Sequence, residues 1–202
     1  MSKYFMLNKP RGYLSACKDD KCQTVLSLFS REDSAGLFHV GRLDKDTEGL
    51  LIMTDDGAFC NRLMKPGFNV KKTYLFYAEG TLSEEKIGLI ENGLCIYPTK
   101  SDRLTLPAKV KVIGTSVLNE YEDFLPIFDR KKMSRRRLIP VVIGELTITE
   151  GKKHQVRRML KAVGCNVFYL KRLSIGELKL DPTLKIGEYR ALTDEELALL
   201  LQ

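Results

Sequence analysis

Leu50-Leu51-Ile52-Met53-Thr54-Asp55-Asp56-Gly57 runs a short apolar stretch straight into an acidic turn. That pattern predicts a buried strand over 50–54, with either aspartate able to cap a helix that continues to about Met64. Lys65-Pro66-Gly67 stops the helix. Residues 72–79 then carry the β-rich run Thr-Tyr-Leu-Phe-Tyr, and Ser83-Glu84-Glu85 caps a second helix that ends near Asn92-Gly93. Upstream, Tyr4-Phe5-Met6-Leu7 predicts a strand, Asn8-Lys9-Pro10-Arg11-Gly12 a basic loop, and 24–29 a short helix. Downstream, 109–112 alternates with period two, 141–149 has strand composition, 167–180 predicts one or two strands, and 184–190 another. Thr193-Asp194-Glu195-Glu196 is a capping box that opens a C-terminal helix. Strands and helices mix without a βαβ rhythm, so the expected class is α+β with a mixed, mostly antiparallel sheet and flanking helices.

The helix expected over 151–164 is the most informative one. Val156, Met159, Leu160 and Val163 fall at i, i+3, i+4 and i+7, while Lys152, Lys153, Arg158 and Lys161 take the other faces. Between the strands near 110 and 145, residues 114–140 begin acidic and aromatic. They end in the run from Arg130 to Arg137, which reads as a surface insertion.

Composition narrows the function. The chain has 202 residues, 44% of them hydrophobic, with 33 Lys and Arg against 26 Asp and Glu, a net charge of +7. It is expected to fold as one domain or two small ones, and its positive excess fits a polyanionic partner. No apolar run approaches the ~18–20 residues of a membrane span, and the start does not read as a signal peptide, so a soluble, cytoplasmic protein is expected. The five cysteines, an odd number, fit reduced thiols. Cys17 and Cys22 lack the second ligand pair of a zinc site, so no metal is expected. Phosphate-cradling GxxxxGK[ST] and GxGxxG loops are absent, as is GxSxG. Carboxylate chemistry on a polyanion survives this elimination.

His39-Val40-Gly41-Arg42-Leu43-Asp44-Lys45-Asp46-Thr47-Glu48-Gly49 concentrates charge between two apolar stretches. It reads either as a surface loop whose charges pair locally, or as a loop presenting Asp44 as nucleophile or base, kept ionised by a cation from elsewhere. Arg157, at the edge of the apolar face of the basic helix, is a candidate for that cation.

That segment, with Lys72-Thr73-Tyr74 and Gly151-Lys152-Lys153-His154-Gln155-Val156-Arg157-Arg158-Met159, resembles the RsuA family of ribosomal RNA pseudouridine synthases. Asn8-Lys9-Pro10-Arg11-Gly12, Ala162-Val163-Gly164 and Leu170-Lys171-Arg172-Leu173-Ser174-Ile175-Gly176 match the family pattern in the same order. The resemblance implies a single catalytic domain over 1–202, with a small N-terminal sub-lobe and a larger central and C-terminal one around a basic cleft. It implies isomerisation of a specific uridine of ribosomal RNA by base flipping, with no cofactor or metal. Asp44 would be the catalytic aspartate, attacking the ribose or the uracil ring. Tyr74 would stack on the flipped base and Arg157 would pair with Asp44. Lys9, Arg42, Lys72, Gln155, Arg158 and Arg172 would bind substrate or orient the site, and Leu170 would line the uracil pocket. Many members carry an N-terminal RNA-binding module. Here the catalytic pattern starts at once, so affinity is expected from the catalytic surface, from the cations 130–137, or from a partner. A monomer acting on naked or assembling ribosomal RNA is the expectation. The alternatives are a non-catalytic RNA-binding or ribosome-assembly factor, and a pseudouridine synthase for another RNA.

Overall fold

The computed structural model describes residues 2–65, 69–97, 104–125 and 138–201. The chain divides into two compact units, Met1–Lys72 with Lys171–Gln202, and Thr73–Leu170.

In the first unit β3 (Glu48–Thr54) lies between β1 (Tyr4–Lys9), antiparallel to it, and the end of β7 (Asn166–Ile175). The β3–β7 pairing is parallel, Glu48 facing Lys171 and Gly49 facing Arg172. β9 (Tyr189–Ala191) extends the order on the far side of β1, β2 (Phe38–Val40) pairs with β3, and β8 (Leu178–Lys179) with β7. All residues of β3 are buried, which accounts for its unbroken apolar reading in place of an alternating one. α1 (Arg31–Ser34) is a single turn. α2 (Gly57–Met64) starts where the acidic turn predicts: Asp56 accepts the amides of Ala58 and Phe59, and the Tyr4 hydroxyl donates to its other oxygen. Phe59 and Leu63, one helical turn apart, join Met6, Leu50, Ile52 and Leu200 in one core cluster. Leu200 comes from α5 (Asp194–Leu201), opened by the expected reciprocal cap between Thr193 and Glu196.

Three expectations are corrected here. The C-terminal segment folds with the N-terminal one rather than enlarging a central lobe, because β9 pairs with β1 and α5 closes the same core. Asn8 and Lys9 are the end of β1, not a loop. Of 184–190 only Tyr189 and Arg190 are strand; the Leu184 and Glu188 amides close turns onto Asp181 and Lys185 instead.

Gly49 has φ +99°, and a Cβ there would press on the carbonyl of Arg172 and stand 2.8 Å from its amide nitrogen. Gly49→Ala is therefore expected to cost about 3 kcal/mol or more, combining left-handed backbone strain with a steric clash against a paired strand. Urea denaturation of the folded variant checks this.

In the second unit the strand order is β5-β6-β4-β7. β5 (Lys109–Val117) and β6 (Pro140–Ile148) are antiparallel, with a bulge between Val112 and Gly114. β4 (Lys72–Glu79) alternates, burying Tyr74, Phe76 and Ala78. α3 (Glu84–Glu91) is capped by Ser83 as expected. α4 (Gln155–Ala162) buries Val156, Met159 and Leu160. It starts four residues later than the 151–164 pattern suggests, because His154 sits at φ 56°, a left-handed conformation that no α-helix continues through.

Residues 114–125 correct the surface-insertion reading. β5 runs on to Val117, and a 3-10 turn (Leu118–Phe124) folds inward, with Leu118 and Leu125 buried beside Val141, Phe168 and Tyr169. Tyr121 and Phe124 meet the Tyr77 ring at 5.1 and 5.2 Å. Aromatic burial outweighs the acidic residues between them. The cations Arg130 to Arg137 lie outside the described residues. Among the described residues no helix is long and apolar enough to cross a membrane.

Candidate active site

Asp44 lies in the loop 41–47 between β2 and β3, and its backbone is held from three directions. The first hold is Lys9, at the end of β1. Its side chain is wholly buried, and its ammonium faces the carbonyl oxygens of Pro10 (3.0 Å), Asp44 (3.2 Å), Lys45 (3.2 Å) and Thr47 (2.9 Å). Second, the Ser15 hydroxyl donates to the Leu43 carbonyl at 2.8 Å and accepts the Leu43 amide at 3.1 Å. Third, the Thr47 amide closes a turn onto the Asp44 carbonyl, and the Gly12 amide donates to the Lys45 carbonyl. Leu43, Thr47 and Glu48 are buried, while Asp44 itself is half-buried and Arg42 exposed. The loop therefore holds its backbone rigidly around a carboxylate that keeps access to solvent.

Burial pushes the Lys9 ammonium down to about 8, against the pull of Asp46, Glu48 and Asp44 and helped by the positive charge of Arg172. Between about 8 and the ordinary lysine value near 10.5, the unfolded chain binds this proton and the folded one does not. Stability from this group accordingly rises with pH across that window. The charge holding the loop carbonyls is lost over the same rise. The expected result is a Lys9 13Cε resonance titrating near 8 in the folded protein, with loop amide protection falling there while the melting temperature does not drop on account of Lys9.

Arg172 is 2% exposed. Its Nε donates to the Leu50 carbonyl at 2.8 Å, and its buried Nη2 has no hydrogen-bond partner among the described residues. Lys72 is half-buried, donates to the Val70 carbonyl, and is lowered by burial and by Arg172. Lys9 and Arg172, expected either to meet phosphate or to orient the site, are closed off from solvent, and the donors described above go to the backbone. Ser15, which pins Leu43, carried no signal in the sequence; a lone serine between Leu14 and Ala16 marks nothing.

The remaining candidates belong to the second unit. Tyr74 is buried on β4, next to Thr73, whose hydroxyl meets that of Thr147 at 2.9 Å. Leu170 is buried on β7. Arg157 is half-buried and donates to the Val167 carbonyl at 3.0 Å, so the helix edge fixes its guanidinium. Gln155 is buried, with its amide donating to Glu150 at 2.7 Å and accepting the Lys152 amide at 2.8 Å. It braces the helix start. Arg158 lies over the Tyr97 ring, 4.2 Å from its centroid. Tyr97 had no place in the sequence reading. Asp44, Lys9, Arg42, Lys72 and Arg172 are thus in one unit, and Tyr74, Gln155, Arg157, Arg158 and Leu170 in the other.

Chemically, a half-buried carboxylate on an immobilised loop suits a nucleophile or base. The family model for RNA pseudouridylate synthase matches residues 3–162. An uncharacterised RNA pseudouridine synthase of Bacillus subtilis, YtzG, is 43% identical over 98% of this chain and 72% of its own length. Ribosomal small subunit pseudouridine synthase A of Yersinia pestis is 40% identical over 97% and 72%. A crystal structure of a pseudouridylate synthase superposes with a TM-score of 0.80 at 32% identity, covering 99% of this chain and 74% of that one.

Proposed function

This chain belongs to the RNA pseudouridylate synthase family, and we propose that it isomerises a specific uridine of ribosomal RNA with Asp44 as nucleophile. Ribosomal RNA as the substrate follows the named relative of Yersinia pestis. The observation that carries the role of Asp44 is the hold on its loop: a buried ammonium on four carbonyls, with Ser15 on the preceding residue. Such a hold has a use where one side chain must be placed to a fraction of an ångström.

In this reading the uridine leaves its stack and its base lies against Tyr74, a ring whose π-face serves any base. Asp44 attacks at the ribose or at the uracil ring, and the glycosidic bond from C1′ to N1 breaks. The uracil rotates, C5 bonds to C1′, the bond to Asp44 breaks and returns its carboxylate, the C5 proton departs with help from Tyr74, and N1 takes up a proton. Substrate and product are isomers, so no oxidant, reductant or second substrate enters. Arg157, anchored on the Val167 carbonyl, is the cation this reading assigns to serve Asp44. Arg42 and Arg158 meet phosphate, and Leu170 lines the side of the pocket that receives the uracil. The site of action is the cytoplasm, on ribosomal RNA.

Nucleoside chromatography of ribosomal RNA, incubated naked and in ribosomal particles, tests this. One additional pseudouridine per RNA is expected in at least one form. Unchanged nucleosides in both forms, with RNA bound, would overturn it in favour of a binding factor.

A further inference from the structure

The second unit carries a platform beside α4 whose ring, Tyr97, the isomerisation reading leaves unassigned. Tyr97 is held at two points: its hydroxyl donates to the Lys153 carbonyl at 2.9 Å, and its neighbour Ile96 is buried. Just before it the Thr105 amide donates to the Leu94 carbonyl and the Leu94 amide to the Thr105 hydroxyl, which fixes the segment's course. The Arg158 guanidinium lies 4.2 Å over the ring centroid, and both members of the stack are half-exposed.

The cations around it divide sharply. Lys152 is committed to Glu150 at 3.2 Å and to the Leu104 carbonyl at 3.1 Å. Lys153 and Lys161 are exposed, and neither ammonium has a carboxylate or carbonyl partner among the described residues. Among the described residues Arg158 likewise has no carboxylate or carbonyl partner, and its guanidinium lies over the ring. Arg158 and Lys161 are three apart and share a face of α4. An arginine whose guanidinium lies over a ring keeps N–H donors for phosphate and adds a cation to the stacking surface. A stack built only for stability gains nothing from leaving those donors and two adjacent lysines uncommitted.

We propose that Tyr97 and Arg158 form a second nucleotide-binding subsite, which stacks one unpaired base of single-stranded or looped RNA while Lys153 and Lys161 meet its flanking phosphates. The subsite rests on the RNA-modifying reading above, and it holds a nucleotide other than the one isomerised.

Affinity for a fluorescein-labelled RNA hairpin with an unpaired uridine-rich loop tests it, measured over a salt series and without reference to turnover. Tyr97→Ala and Arg158→Gln are each expected to weaken binding about tenfold, the scale of one lost base stack, and Tyr97→Phe to retain most of the affinity. The double change Lys153→Gln with Lys161→Gln is expected to flatten the slope of log affinity against log salt by about 1.4, two single-strand phosphates' worth. That pair is exposed and decides the matter even if Tyr97→Ala fails to fold. Wild-type affinity and wild-type salt slope in the folded variants would overturn the subsite. Weakened binding by these variants, from a wild type that binds RNA but makes no pseudouridine, would uphold the subsite and overturn the isomerase.

Discussion

Asp44→Asn is expected to bind ribosomal RNA like the wild type and to form pseudouridine at least about 10⁴-fold more slowly in single-turnover assays. Asparagine has nearly the same shape, so the hold on the loop by Lys9, Ser15 and Thr47 persists, since all three grip backbone atoms. What is lost is the nucleophilic carboxylate, and removal of a nucleophile from a site that works as a unit has effects of this size. Affinity stays, because phosphate contacts dominate RNA binding and loss of one negative charge does not weaken them. A variant that retained a tenth of the wild-type rate would rule out Asp44 as the nucleophile.

Lys9→Met is expected to damage the same reaction from inside the fold. Methionine fills the volume of the buried stem but leaves the carbonyls of Pro10, Asp44, Lys45 and Thr47 without their shared donor. The Asp44 and Lys45 carbonyls keep the Thr47 and Gly12 amides, and the loss of Lys9 from the Pro10 and Thr47 carbonyls costs about 3–5 kcal/mol, of the order of 10 °C in melting temperature for a chain this long. The catalytic loss is expected to be larger than the stability loss explains, about 100-fold in kcat at temperatures where the variant is folded, since a displacement near 1 Å has that effect. KM should move little, because Lys9 is buried away from the RNA. Thermal unfolding and steady-state kinetics together check this. A folded Lys9→Met protein with wild-type kcat would show that the clamp does not position Asp44.

What the sequence made legible follows from where its signals are local. β3, α2, β4 and α3 were readable because periodicity, acidic caps and Pro-Gly stops lie within a few residues of the elements they define. Asp44 was singled out by the charge density around it, and the family resemblance by motifs far apart. The hold on Asp44 was not readable. Lys9 and Asp44 are 35 positions apart, and a lysine beside Pro10 and Arg11 reads as a solvated cation until the fold buries it. The same holds for Arg172, whose guanidinium ends on the Leu50 carbonyl. His154 illustrates a different failure: nothing in Gly151-Lys152-Lys153-His154 announces a left-handed residue, so the apolar periodicity extended the helix too early. Residues 118–125 were hidden by their own acids, which conceal an aromatic face that packs on Tyr77. Tyr97 and Arg158, 61 positions apart, meet only through tertiary structure.

Tritium release from ribosomal RNA labelled at C5 of uridine reads the central step directly, because the C5 proton leaves only when C5 takes the bond to the ribose. With RNA binding matched, the wild type is expected to release tritium up to one equivalent per RNA and Asp44→Asn none. No release by the wild type, from naked RNA and from ribosomal particles alike, would contradict an Asp44-driven isomerisation of ribosomal RNA.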